Sequence, residues 1–187
     1  MLITRFNPDN NGLYEKARKL CRQFNNSDDE TEKQDLIKKM FNFVGERLIV
    51  IQPLTIDTGN VSIGNNCFFN SGCKFIDFGG ITIGNNVGLS VGVTLITNNH
   101  PCNPLTLENW VDIKQPIVIE DDVWIGANVN IMGNVTIGKG SIIGAGSVVT
   151  KNIPAGEVWA GNPARYIETV EEYKAKFAEK HNLTHQF

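Results

Sequence analysis

The chain has 187 residues, with 17 Lys and Arg against 20 Asp and Glu and a formal net charge of −3 at neutral pH. That balance leaves no bulk electrostatic case for a nucleic-acid partner, and no apolar run approaches the roughly 20 residues of a membrane span. The opening MLITRFNPDNN has no extended apolar signal core, so the expectation is a soluble cytoplasmic protein with no membrane partner, long enough to bury a substantial core.

Residues 11–25 read as an amphipathic helix, with Leu13, Ala17, Leu20 and Phe24 on one side. Ser27 or Asp28 offers an N-cap ahead of the acidic Asp29 and Glu30. A second helix follows to about Phe43 and buries Leu36, Ile37, Met40 and Phe41. Two such helices before a repetitive region predict a cap over its open end, where unpaired strand edges need cover. The sharper reading makes them one wall of a substrate pocket as well.

Regular six-residue units begin at Val61: VSIGNN, CFFNSG, then ITIGNN and VGLSVG from Ile81. From Ile117 they run as IVIEDD, VWIGAN, VNIMGN, VTIGKG, SIIGAG and SVVTKN. Each opens on a small or β-branched residue and carries a large aliphatic two positions later: Ile119, Ile125, Ile131, Ile137, Ile143, Val149. A period of six contains the period of two that a strand requires. It puts successive aliphatics on nearly opposite faces of a helix, so a helix is excluded. Gly, Asn and Asp after each short strand tolerate the left-handed backbone of a corner. The prediction is a mainly β solenoid, with triangular coils of roughly 18 residues stacked as parallel strands. Residues 1–58 then form the cap and lead-in, 59–162 the coil, and 163–187 a C-terminal extension. Cys67 and Cys73 stand where Val61 does in its unit and read as buried free thiols; no CxxC occurs, and no metal site is predicted.

Two departures interrupt the repeat. DFGG at 77–80 adds two residues between Phe75 and Ile83, an insertion expected to carry its side chains outside the core. From Thr97 to Gln115 the run TNNHPCNPLTLENWVDIKQ abandons the period altogether, with an exposed-looking Trp110. Leu95 and Ile119 are 24 residues apart, a whole multiple of six, so this loop bulges from one corner without shifting the register. A long loop thrown from a rigid scaffold is where function tends to sit. It carries His100, followed by Pro101; the other histidines, His181 and His185, lie near the C-terminus. A general base working near neutral pH is most economically a histidine.

The repeats, the NHP of that loop, DDVWIG (121–126), IGAGSVVTKNIP (143–154) and WAGNPARYI (159–167) occur in this order. The ordered set, over roughly residues 15–170, resembles the galactoside, maltose and nodulation-factor O-acetyltransferases of the hexapeptide-repeat family. The resemblance implies a left-handed parallel β-helix, acetyl-CoA as co-substrate, a small sugar or other hydroxylated acceptor, and a homotrimer with active sites between adjacent solenoids. It implies His100 as the base that deprotonates the acceptor hydroxyl, Asn70 and Asp77 as acceptor contacts, and Trp124 beside the acyl-CoA channel. The backbone N–H of Ala127 falls where the family stabilises the tetrahedral oxyanion. Ala145, Thr150 and Lys151 match positions lining the CoA groove, and Lys151 and Arg165 are placed to meet its phosphates. Relatives begin with a longer segment bearing an acidic acceptor-site residue, for which Asp57 is the substitute available here. MGNVTIG (132–138) and IEDDVWIG (119–126) also depart from the usual PGVTIG and IGDNVWIG.

Other readings of the same scaffold are N-acetylation of an amino sugar and acetylation of an antibiotic. A zinc carbonic anhydrase needs several histidine ligands, and the repeat region has only His100. A purely structural solenoid is opposed by the His100 loop. Residues 168–182 read as a short charged helix with a partial stripe of Val170, Tyr173 and Phe177 that packs on the solenoid or a neighbour.

Overall fold

The computed structural model describes residues 2–5, 11–100 and 111–181. The short Val/Ile strands coil into three parallel faces. Face 1 stacks Phe43–Val44, Val61–Ile63, Ile81–Ile83, Ile117–Ile119 and Thr136–Ile137. Face 2 stacks Ile49–Val50, Phe68–Phe69, Gly88–Leu89, Trp124–Ile125, Ile142–Ile143 and Glu157–Gly161. Face 3 stacks Leu54–Ile56, Cys73–Ile76, Thr94–Ile96, Asn130–Ile131 and Val148–Val149.

The hexad aliphatics meet in register inside this prism. Ile63, Ile83, Ile119 and Ile137 form one column. Phe69, Leu89, Ile125 and Ile143 form the second. Phe75, Leu95, Ile131 and Val149 form the third, and no member of the three is more than 2% exposed. Each such side chain contributes about 1.5–3 kcal/mol by leaving water. That sum, rather than strand length, stabilises strands only two or three residues long. Cys67 and Cys73 lie in the same interior as free thiols; burial pushes the Cys73 thiol up to about 12, so it is an inert packing group.

The corners are built from Asx residues in left-handed backbone. Asn66, Asn86 and Asp122 have φ of 58°, 57° and 61°. Their side chains form a ladder: Asn66 donates to Asn86 at 3.1 Å and Asn86 to Asp122 at 2.8 Å. Asn65, Asn85 and Asp121 repeat it one residue earlier, at 3.1 Å each. Lys139 closes the acidic end, 3.4 Å from Asp122.

The coil starts at Phe43, inside the segment read as a lead-in. Before it, α1 (Asn11–Asn26) and α2 (Glu30–Met40) place Phe24, Leu36, Ile37, Met40 and Phe41 in one cluster with the first coil. Asn25 clamps α1 down by donating to Leu54 O at 2.8 Å and accepting from Leu54 N at 2.9 Å. The N-cap of α2 is Asp29, not Ser27 or Asp28: its carboxylate accepts from Thr31 N and Glu32 N, while the Ser27 hydroxyl donates to Glu32. At the other end Trp159 pairs with Ile143, points inward, and closes the core. Glu157–Gly161 then turns back as the antiparallel strand Ala164–Thr169, before α3 (Val170–His181). The predicted C-terminal helix therefore begins two residues late, because 168–169 complete that hairpin.

The DFGG insertion corrects an expectation. Asp77 is 0% exposed and Phe78 only 7%, so both turn inward rather than away. The long loop behaves as its spacing requires: face 3 leaves at Leu95 and face 1 resumes at Ile119, both in register with the following coil. Its described parts are strands. Asn98–Asn99 and Val111–Lys114 pair antiparallel, and Leu2–Arg5 adds a third strand. Trp110 lies outside the described residues. Among the described residues no helix is long and apolar enough to cross a membrane.

Phe75 packs edge-on to Phe69 at 5.5 Å and beside Phe41 at 6.4 Å. Phe75→Ala should lose about 3–5 kcal/mol in urea unfolding, whereas Lys139→Ala, which removes an exposed ion pair, should lose no more than about 1 kcal/mol.

Candidate active site

His100 owes its position to backbone register. Asn98 pairs with Lys114 and Asn99 with Ile113, so the next antiparallel position sets His100 opposite Asp112. There the imidazole Nδ1 lies 3.5 Å from Asp112 Oδ1. Asp112 is buried, and its Oδ1 also accepts from Asn98 Nδ2 at 3.4 Å. The His100 backbone N–H donates to Asn99 Oδ1 at 2.8 Å. The Asp112 carboxylate thus faces the Nδ1 edge of the imidazole and orients the ring.

The base of the loop is pinned to the coil below. Buried Thr97 donates its hydroxyl to Ile76 O at 2.8 Å and accepts from Gly79 N at 2.7 Å. Gln115 N closes the loop onto Thr97 O at 2.7 Å. Gly79 is required for this contact, since a Cβ there would stand 2.2 Å from Thr97 O. The neighbouring Phe78 is covered by Tyr14 of α1, ring centroids 6.1 Å apart, and by the Lys114 ammonium 4.3 Å from its ring. Burial, and next the charge on Asp112, push the Tyr14 phenol up to about 12. Arg18 lies 5.4 Å from the Tyr14 ring and 3.0 Å from Asp57. The helical cap thus packs on Phe78 beneath the loop and meets Asp57 through Arg18.

Asp77, expected as an acceptor contact, is met by donors of its own chain. Its Oδ1 accepts from Thr58 N at 2.7 Å and Thr58 Oγ1 at 2.6 Å, and its Oδ2 from Gly59 N at 3.0 Å. With three donors and no exposure it ties two coils together. Asn70 sits at a turn, half-buried, its Oδ1 accepting from Ser71 N at 2.8 Å.

The predicted residues divide between corners. Asn70, Ala127 and Ala145 follow face 2 strands and stack at the corner between faces 2 and 3. Gly146 N donates to Ala127 O at 2.8 Å within this stack. Among the described residues no acceptor meets the Ala127 N–H. His100, Thr150 and Lys151 follow face 3 strands, at the corner between faces 3 and 1. Trp124 stands out from face 2, 46% exposed. In one chain, therefore, His100 stands at the corner between faces 3 and 1 and Trp124 on the outside of face 2. Lys151 reaches over the end of the coil, its Nζ 4.9 Å from the Trp159 ring. Trp159 is held by Glu157 at 2.7 Å and flanked by Tyr166 at 6.5 Å. Arg165 is exposed on the same hairpin, so the two cations predicted for phosphates sit beside one aromatic cluster.

Asp112, Tyr14, Thr97 and Lys114 were not singled out from the sequence. The alternation in VDIK, apolar at Val111 and Ile113, was the available sign of a strand inside the loop.

Comparison with known proteins gives the class. Residues 116–151 match the bacterial transferase hexapeptide (six repeats), residues 60–96 the hexapeptide repeat of succinyl-transferase, and residues 5–45 the maltose acetyltransferase hexapeptide capping motif. The galactoside O-acetyltransferase of Escherichia coli (strain K12) is 41% identical over 167 residues, 86% of this chain and 82% of that one. A galactoside acetyltransferase solved in complex with coenzyme A superposes with a TM-score of 0.86 at 35% identity, covering 92% of this chain and 88% of that one. A hexapeptide-repeat acetyltransferase from Vibrio cholerae, complexed with acetyl coenzyme A, gives 0.83 at 34% identity, over 87% and 89%. The chain belongs to the hexapeptide-repeat acetyltransferases of the galactoside and maltose O-acetyltransferase type. It is an acetyl-CoA-dependent acetyltransferase.

Burial pushes the Asp77 carboxyl above its ordinary range, against the bonds from Thr58 and Gly59 that lower it. The folded state therefore favours the protonated form. Its contribution is greatest below the ordinary carboxylate pKa and declines as pH rises through the raised one. Asp77→Asn leaves the Gly59 N–H without its acceptor and should cost about 1–3 kcal/mol in urea unfolding. The gap from wild type should narrow as pH rises from acid to neutral, with the acceptor KM unchanged. A raised acceptor KM at unchanged stability would return Asp77 to the acceptor site.

Proposed function

We propose that this enzyme transfers the acetyl group to a hydroxyl of a sugar or related small acceptor, with His100 as general base. The observation that carries the reading is the His100–Asp112 pair, 3.5 Å apart on a loop sheet fastened to the solenoid. Hydroxyls near pH 7 are poor nucleophiles, so a positioned base is a chemical necessity. Nε2 of His100 takes the acceptor proton as the oxygen attacks the thioester carbonyl. The oxyanion that forms accepts from the Ala127 N–H, a donor with no protein partner among the described residues. Collapse breaks the C–S bond, and the imidazolium returns its proton to the departing thiolate. Asp112 faces the Nδ1 edge of the ring and orients it.

Lys151 and Arg165 would take the phosphates of the coenzyme, with Ala145 and Thr150 along its groove and Trp124 beside the acyl end. Asn70 is placed with the acceptor. The division of these residues between two edges of the prism supports a homotrimer, in which the His100 edge of one subunit faces the Trp124 edge of the next. Use of acetyl-CoA supports a cytoplasmic setting. A galactoside or maltose-like acceptor is the first to try, given the relatives; N-acetylation of an amino sugar is the second reading and shares the same base.

The test is free-thiol release from acetyl-CoA against a panel of sugars, amino sugars and hydroxylated antibiotics. His100→Ala should lower kcat about 100- to 10,000-fold while keeping coenzyme binding. Asp112→Asn should also lower kcat while leaving coenzyme binding and the urea midpoint in place, which loss of folding would not. Unchanged turnover in His100→Ala overturns the base. Sedimentation as an active monomer overturns the shared site.

A further inference from the structure

The outward positions of face 2 also fall in register: Ile49, Phe68, Gly88, Trp124, Ile142 and Val158. Five of the six carry a bulky apolar side chain. Gly88 carries none, and its backbone gives no reason for glycine, because it lies outside the left-handed region that Gly72 and Gly92 occupy. The reason is space. A Cβ on Gly88 would stand 2.5 Å from Cε3 and 2.7 Å from Cζ3 of Trp124. The six-membered ring of the indole therefore lies directly over the Gly88 Cα. A glycine inside a strand weakens it and commonly marks a close approach by another group. Here that group is the tryptophan of the neighbouring rung, whose other side stays open.

We propose that Gly88 is a positioning residue: its missing side chain is the seat that holds the Trp124 indole against face 2, and so fixes one wall of the acyl-CoA channel. The second half rests on the reading of Trp124 given above. An indole lying on the sheet offers a flat apolar wall at a constant place. Any side chain at 88 displaces the ring from that place, since the strand backbone behind it is held by hydrogen bonds to both neighbours: Gly88 N donates to Val123 O at 3.0 Å and Phe68 N to Val87 O at 3.0 Å.

The test uses the full-length protein labelled with fluorotryptophan, in which Trp124→Phe assigns the Trp124 resonance among the three tryptophans. Gly88→Ala should shift that resonance alone, without ligand. It should raise the KM for acetyl-CoA about tenfold and leave kcat nearly unchanged, the signature of a displaced binding wall. In the Trp124→Phe background, Gly88→Ala should add little, because the two act through one contact. An unmoved resonance overturns the seat, and additive KM effects overturn action through Trp124. A moved resonance with KM unchanged in both Gly88→Ala and Trp124→Phe removes Trp124 from the channel: the seat stands while the cofactor reading fails.

Discussion

The structure depends on one side chain per face per coil standing directly above its counterpart. A slip of one residue would turn every inward Ile to solvent. The constraint is strict because the strands are too short to be stable by backbone pairing alone; the columns stabilise the coil, and the coil sets the pairing. It also explains where variation is tolerated. Outward positions carry Phe43, Ser62, Thr82 and Val118 on face 1 and Thr55, Lys74, Asn130 and Val148 on face 3, whereas face 2 carries Ile49, Phe68, Trp124 and Ile142. Face 2 is the most continuously apolar of the three outer faces, and it adjoins the corner that holds Ala127 and Ala145.

That asymmetry bears on the chemistry. A general base has to come within hydrogen-bond reach of the attacking oxygen while the oxyanion donor lies on the far side of the reacting carbon. His100 and Ala127 stand on different edges of the same prism, with face 3 between them. On the reading proposed above, an edge-to-face association of subunits would remove the difficulty without altering either position. The single chain would then carry two half-sites, with assembly as part of the catalytic geometry.

How far this was legible in the sequence follows from what kind of pattern carries each part. The columns could be read because Ile119, Ile125 and Ile131 recur at a fixed interval, and interval is a property of sequence. The cap could be read because Leu36, Ile37 and Met40 recur at helical spacing. Asp112 could not, because its value lies in an antiparallel register between two stretches of loop whose pairing no periodicity announces. The inward turn of DFGG could not be read for a related reason. An insertion in a solenoid usually bulges outward, but DFGG supplies two glycines that let the chain fold back over Thr97, turning the carboxylate in to meet Thr58 and Gly59.

The two interruptions of the repeat are in fact one construction. Two residues added at 77–80 create the platform on which the longer insertion rests: Gly79 meets Thr97, and Phe78 sits beneath Tyr14 and Lys114. Each insertion contains a buried aspartate, and the two differ in their partners. The Asp77 oxygens are occupied by three donors from the coil. Asp112 meets the Asn98 amide and the one histidine of the repeat region, the contact on which the proposed function rests. A rigid coil can set down both, because the loop leaves and rejoins it in the same register and is closed at its base by Thr97 and Gln115.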